Sequence, residues 1–239
     1  MRRIALALTP VLAACALAGC TGADARRAQE LLQESNRALL EVNSFRFAGR
    51  MWMKGPDGVG EISLEMRGAA TQKGAGASYL TMRAQGVPGF PEMTVVVRGQ
   101  RAWMGVSGSW TPLPSPPEQT SPAAQFDFTP YVKDVQVVSG PLLDGEPTVK
   151  IVGVLDTAAF ARGVLGQLGN LSGADSALLP DLSDVFEDTR IVLYLSETTY
   201  LPLRGLLDMA MEAEGERFEM HMDFSMRGYD RPVRIPRVA

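Results

Sequence analysis

Two hydrophobic periods divide this chain. Between residues 23 and 42, Ala28, Leu31, Leu32, Ser35, Leu39 and Val42 recur at helical spacing, which predicts one amphipathic helix. From Phe45 the period falls to two. Phe45, Phe47, Gly49, Met51 and Met53 alternate with Arg46, Ala48, Arg50 and Trp52. After the turn signal Pro56-Asp57-Gly58, Ile62, Leu64 and Met66 alternate with Ser63, Glu65 and Arg67. Leu80, Met82 and Ala84, then Met93, Val95 and Val97, then Ala102, Met104 and Val106 continue the rhythm. Strands with one apolar and one wet face belong to antiparallel sheets covered on one side, so this half reads as a meander.

The alternation stops between Trp110 and Pro130. The prolines in Thr111-Pro112-Leu113-Pro114-Ser115-Pro116-Pro117 lack the N–H that a central strand needs. Residues 111–122 read either as a polyproline-II connection or as a flap over a cavity mouth. A short helix or turn is predicted over 126–132, then a hairpin of 135–138 and 148–154 around Asp144-Gly145. Asp156 or Thr157 caps a second helix reaching Leu168, with Phe160, Val164, Leu165 and Leu168 as its apolar stripe. A third helical piece, 174–187, is interrupted by Pro180. Strands over 190–195, 203–212 and 216–227 finish the chain, the last two joined at Gly215. There is no repeat and no internal boundary. The expected fold class is α+β, one large curved antiparallel sheet covered by a few helices.

Methionine is concentrated on one phase of this pattern. Eleven methionines follow the initiator: Met51, Met53, Met66, Met82, Met93, Met104, Met209, Met211, Met220, Met222 and Met226. All fall in predicted strands and all take the apolar phase. Phe218, Met220, Met222, Phe224 and Met226 alternate with Glu219, His221, Asp223 and Ser225. Methionine is unbranched and polarizable, and it fills irregular space. Two readings stay open at this point: a solid methionine-rich core, or an adaptable face that fits alkyl chains.

The N-terminus bears on where the protein works. Met1-Arg2-Arg3 is basic, residues 4–18 are apolar but interrupted by Pro10, and Leu17-Ala18-Gly19-Cys20 follows. This is the layout of a secretory signal, residues 1–19, ending in a bacterial lipobox. That pattern implies cleavage before Cys20, a diacylglyceryl group on its thiol, and a mature domain over 20–239 held at the extracytoplasmic face of the cell membrane. Removal of Arg2 and Arg3 takes the formal net charge from −4 to −6, a poor balance for nucleic-acid binding. Cys15 leaves with the signal, so the mature chain keeps no second thiol for a disulfide.

Catalytic and metal constellations are absent from the pattern. His221 is the only histidine, and its place on the polar phase of a strand predicts an exposed imidazole. Gly105-Val106-Ser107-Gly108-Ser109 is not a nucleophile elbow. Asp181, Asp184, Glu187 and Asp188 have the spacing of a wet helical face, unlike a calcium loop. Gly58-Val59-Gly60 and Gly74-Ala75-Gly76 read as hairpin turns. No enzyme activity, metal or cofactor is expected.

Several short motifs, in order, carry a resemblance. They are the lipobox cysteine, Ser44-Phe45-Arg46-Phe47 after the first helix, Ala102-Trp103-Met104 with Ser109-Trp110-Thr111, and Gly145-Glu146-Pro147-Thr148-Val149. Leu193-Tyr194-Leu195-Ser196-Glu197, Leu201-Pro202-Leu203-Arg204 and Tyr229-Asp230-Arg231-Pro232-Val233-Arg234-Ile235-Pro236 complete the series. The chain resembles the LolA/LprG-LppX-like superfamily of envelope lipid-handling proteins. The resemblance implies a half-barrel sheet wrapping helices around a hydrophobic cavity for acyl chains of a lipid or glycolipid. It implies lipid binding and transfer, with Met51, Met53, Leu64, Met66, Met82, Val95, Met104, Phe160, Leu165, Met209, Met220, Met222 and Phe224 as the expected lining. The alternative within the same superfamily is a sensory lipoprotein, similar to RseB, that binds a membrane protein partner and carries no cargo.

The lipobox reading makes one firm prediction. Cys20→Ala should abolish incorporation of labelled fatty acid while its thermal unfolding midpoint stays unchanged, because the thiol is an attachment point. A variant that still incorporates the label would refute the anchor.

Overall fold

The computed structural model describes residues 17–55, 62–72, 74, 76–87, 89–113, 123, 126–157, 159, 186–213 and 216–238. They form one long helix and one antiparallel sheet of eleven strands. Helix α1 (Leu17–Glu41) precedes a meander of β1 (Ser44–Lys54), β2 (Ile62–Thr71), β3 (Ala77–Gln85), β4 (Met93–Arg98), β5 (Arg101–Val106) and β6 (Ser109–Leu113). A 3-10 turn at Thr129–Tyr131 leads into β7 (Val132–Ser139), β8 (Thr148–Leu155), β9 (Phe186–Ser196), β10 (Pro202–Ala213) and β11 (Glu216–Arg227). The order across the sheet is β6-β5-β4-β3-β2-β1-β11-β10-β9-β8-β7. The first and last strands therefore meet at its centre.

The alternation in the sequence becomes two chemically distinct faces because the pairing keeps parity from strand to strand. One transverse row reads Val106, Met93, Met82, Met66, Gly49, Phe224, Gly205, Leu193, Ile151 and Val137 across ten strands. The next residue along each strand faces the other way. There Trp110, Gly105, Thr94, Thr81, Arg67, Ala48, Ser225, Arg204, Tyr194, Lys150 and Val138 line up.

Helix α1 lies on the apolar face, and the whole predicted stripe of Ala28, Leu31, Leu32, Ser35, Leu39 and Val42 is buried. At its C-terminal end, Gln72 Nε2 donates to the carbonyls of Leu39 and Val42 at 2.9 and 2.7 Å. Those acceptors would otherwise lack a partner at the helix terminus. The helix begins at Leu17, six residues before the predicted start, so its backbone runs through Cys20.

Four expectations need correction or fall outside the described residues. The stretch after Trp110 does not leave the sheet at once: Ser109–Leu113 pairs with β5 as edge strand β6, with Pro112 opposite Trp103. An edge has one unpaired side, so proline's missing donor is tolerated there. Phe186 and Glu187 belong to β9 and not to a helix. Asp156 does cap a helical turn, accepting from the Ala159 amide at 3.0 Å, while the rest of that helix, the third helical piece up to residue 185 and residues 114–122 lie outside the described residues. One sheet and one long helix are the architecture of the described residues.

After β11 the chain doubles back across the polar face as a tail, 229–238. Asp230 Oδ1 accepts from the Asn43 amide and from Asn43 Nδ2 at 2.7 and 2.9 Å. Ser44 Oγ donates to the Arg231 carbonyl at 2.6 Å, Arg46 to the Pro232 carbonyl at 2.7 Å, and Arg98 to the Pro236 carbonyl at 2.8 Å. Between Arg46 on β1 and Arg98 on β4, the register places Ala69, Tyr79 and Val96 in one row. Ala69 and Val96 are buried although they belong to the polar phase, because the tail crosses over that row.

Tyr229 secures the start of the tail by donating its hydroxyl to the Pro202 carbonyl. Burial, with the nearby Glu146 carboxylate adding to it, raises the phenol above its ordinary range. The folded state thus holds the proton at pH values where the unfolded chain has released it. The stabilisation is complete below about pH 10 and is lost as pH rises beyond it. Tyr229→Phe should cost about 0.5–1.5 kcal/mol near neutral pH, the usual worth of one hydrogen bond. It should also remove this alkaline loss. Urea midpoints of both proteins on either side of about pH 10 test the expectation.

Candidate functional site

The apolar face has two parts. In the first, α1 and residues 126–131 close over the sheet. Phe45, Phe47 and Phe126 form an aromatic cluster, with Phe126 5.7 Å from Phe45 edge-on and 5.3 Å from Phe47. Phe128 stacks on Phe224 at 5.6 Å. Asp127 ties this segment to the helix: its Oδ2 accepts from Asn36 Nδ2 at 2.8 Å and its Oδ1 from the Thr129 amide at 2.9 Å. The space left here, about 20 Å³ among Leu32, Leu39, Phe126, Phe128, Phe224 and Met226, is no larger than one water. This part is solid core. The segment 126–128 was missed as a functional element, although Phe126 and Phe128 bracketing Asp127 carried the signal.

The second part is a methionine bank. Met51 faces Met222 and Leu64, Met53 faces Met220, and Met66 faces Met82. Val95 faces Met104, and Met209 faces Met220. All the described members of the expected lining project from this one face. Met209 and Phe224 are buried in the solid core, whereas Met51, Met53, Leu64, Met66, Met82, Val95, Met104, Met220 and Met222 are half-buried. Phe160 and Leu165 lie outside the described residues. Phe224 stands at the boundary between the two parts, with Met222 and Met220 running away from it along β11.

A groove of about 560 Å³ lies on the opposite, polar face beside the tail. Arg50, Trp52, Glu65, Arg67, Arg83 and Asp223 are among its walls. Arg50 pairs with Glu65 at 2.6 Å, Arg67 with Glu92 at 3.7 Å, and Arg204 grips Asp223 through two hydrogen bonds of 2.9 and 2.6 Å. The hydrogen bond from Arg204 to Asp223 raises the guanidinium pKa above its already high ordinary value. Although larger, this groove has the wrong chemistry for acyl chains, because inserting alkyl groups would strip water from paired charges. The apolar bank is the better candidate on its chemistry. Among the described residues, no three His, Cys, Asp or Glu side chains converge on a metal position, and no helix is long and apolar enough to cross a membrane.

His221 lies on the polar face, as its strand phase predicts, but its partly exposed ring has partners. Its Nδ1 lies 2.7 Å from Asp208 Oδ1, and the ring stacks on Trp52 at 5.7 Å. Cross-strand pairing explains both contacts, since Asp208 and Trp52 are its register neighbours on β10 and β1. A single strand's alternation cannot reveal such a pair.

No protein-family model matches the chain, and no curated protein sequence does. Solved structures do. The chain superposes on the crystal structure of LprF from Mycobacterium bovis with a TM-score of 0.53 at 17% identity, covering 89% of this chain and 97% of that one. Lipoprotein LppX from Mycobacterium tuberculosis gives 0.51 at 13% identity, with coverage of 88% and 99%. This is the LolA/LprG-like fold. At such identities the likeness concerns architecture. The LprF and LppX matches span nearly the full length of both neighbours.

The placement of His221 generates a prediction. His221→Gln should cost about 0.5–1.5 kcal/mol through loss of the ring stack. It should leave apolar ligand binding unchanged, because the ring lies on the face opposite the methionine bank. A variant that loses ligand at unaltered stability would place the ligand on the polar face.

Proposed function

We propose that this chain is a lipid-anchored, extracytoplasmic lipoprotein that binds, and transfers, acyl-chain lipids of the bacterial envelope. The observation that carries this reading is the methionine bank. Nine apolar side chains from β1–β5 and β11 stand half-buried on one face, next to a solid core that ends at Phe224. The shared architecture with LprF and LppX supports it. In this proposal the sheet curls as a half-barrel, and the predicted stripe of Phe160, Val164, Leu165 and Leu168 supplies the facing wall. Cys20 holds the protein at the membrane. Binding, without chemistry on the ligand, is the whole activity.

Physical chemistry favours a pliable wall for such a task. A lipid with about 30 methylenes gains about 24 kcal/mol on leaving water, at about 0.8 kcal/mol each. The bilayer offers nearly the same gain, so a carrier has only to match it. Methionine does so without demanding one chain length, because its thioether adapts at small rotameric cost.

Replacing Met220 and Met222 together with Trp tests the reading. Both substitutions keep the apolar phase and fill the space between β1 and β10. The expected result is a folded protein with a melting temperature near that of the parent and strongly reduced uptake of a fluorescent fatty acid or phospholipid. A solid core would instead be overpacked by about 1–3 kcal/mol per site. Loss of folding, in a parent that never takes up lipid, would overturn the carrier reading and leave the sensory lipoprotein in its place.

A further inference from the structure

Positive charge is gathered along one end of the polar face. Arg46 and Arg227 are register partners on β1 and β11, and Arg98 and Arg101 are partners on β4 and β5. The tail joins these two pairs, because Arg46 binds the Pro232 carbonyl and Arg98 the Pro236 carbonyl. In doing so it adds Arg231, Arg234 and Arg237, all exposed. Seven arginines thus form one continuous band. Within 227–238 the single carboxylate, Asp230, is turned onto Asn43. None of the seven guanidinium groups is paired with a carboxylate among the described residues. Elsewhere on the sheet Arg50, Arg67 and Arg204 are so paired, while Arg83 and Arg190 stand singly among those residues and outside the band.

We propose that this arginine band docks the body of the protein on an anionic lipid surface, with the guanidinium groups meeting lipid phosphates. Three observations select that occupant. The chain as a whole is net −4, so the cationic band stands apart from an acidic remainder and is suited to a negative surface. All seven cations are arginine, whose planar fork matches phosphate oxygens in a way lysine does not. The band crosses the sheet as an open strip over six strands, from β11 to β5, and Val233, Ile235 and Val238 stand half-buried between its arginines. A headgroup layer accepts that mixture of cation and short alkyl group. The inference takes the extracytoplasmic, membrane-tethered location from the proposed function and adds an orientation to it.

The test uses the full chain carrying Cys20→Ala, so that no acyl anchor contributes. Its co-sedimentation is compared on vesicles of phosphatidylcholine alone and of phosphatidylcholine with phosphatidylglycerol. Residues 1–19, basic at Arg2 and Arg3, are unchanged throughout, so the band is read as the part of the anionic preference that its own substitutions remove. The second protein adds Arg231→Gln, Arg234→Gln and Arg237→Gln. The tail is clamped through its backbone carbonyls, so these changes leave the clamp intact, and an unchanged melting temperature checks it. The expected result is preference for the anionic vesicles that weakens with salt and falls about a hundredfold in the triple variant. Lysine at the same three positions should restore only part of the preference, because the charge returns without the fork. Equal binding to both vesicles, or a triple variant that binds like its parent, would overturn the proposal. So would retention on immobilised polyglutamate without affinity for anionic vesicles, which would assign the band to an acidic protein. A chain that takes up fluorescent lipid yet ignores vesicle charge would overturn this inference alone.

Discussion

The register between the first and last strands rests on one aromatic ring and two glycines. Phe224 on β11 is paired with Gly49 on β1 and with Gly205 on β10. A Cβ at Gly205 would run into the Phe224 ring, and one at Gly49 would press on its Cβ at 3.3 Å. Phe47 lies in the same way over Gly68 of β2. A slip of one residue would turn every methionine of β11 to the polar face and set the ring against a side chain. Both faces of the sheet depend on this fit. So does the boundary between solid core and methionine bank, because Phe224 also receives Phe128 from above.

That boundary divides two kinds of packing. Toward α1, rings and branched aliphatic side chains lock one another, as a core with a unique arrangement requires. Toward Met222 and Met220 the side chains are long, unbranched and half-buried. Rotamer freedom retained there costs the folded state less ordering than a branched core would. Stability and adaptability are thus assigned to neighbouring stretches of a single strand.

Much of this was readable beforehand, for a physical reason. Alternation survives into the sheet because antiparallel partners share a face, so the phase of Met220 and Met222 could be taken from β11 alone. The stripe of α1 was legible for the same kind of reason, each of its six residues being buried. What escaped were features decided by a neighbour. Pro112 could join a strand because β6 is the edge of the described sheet. His221 lost its freedom to Asp208 and Trp52, which are distant in sequence. The tail was seen as a motif, but its hold on the sheet passes through main-chain carbonyls, which leave no residue preference behind. Ala69 and Val96 show the consequence, buried on the wrong phase for the right reason. The methionines betray which face is apolar.

The meeting of β1 and β11 at the centre also governs the order in which the molecule can assemble. Contacts such as Ser225 with the Ala48 carbonyl join residues 177 positions apart, and closing so long a loop precedes any reward from it. Each half can zip locally as a meander. The two become one sheet only when the final strand is in place. A chain emerging from a ribosome or a translocation pore therefore stays divided until its last segment is released. By the same logic, a break near the C-terminus would not trim this sheet at its margin but split it down the middle.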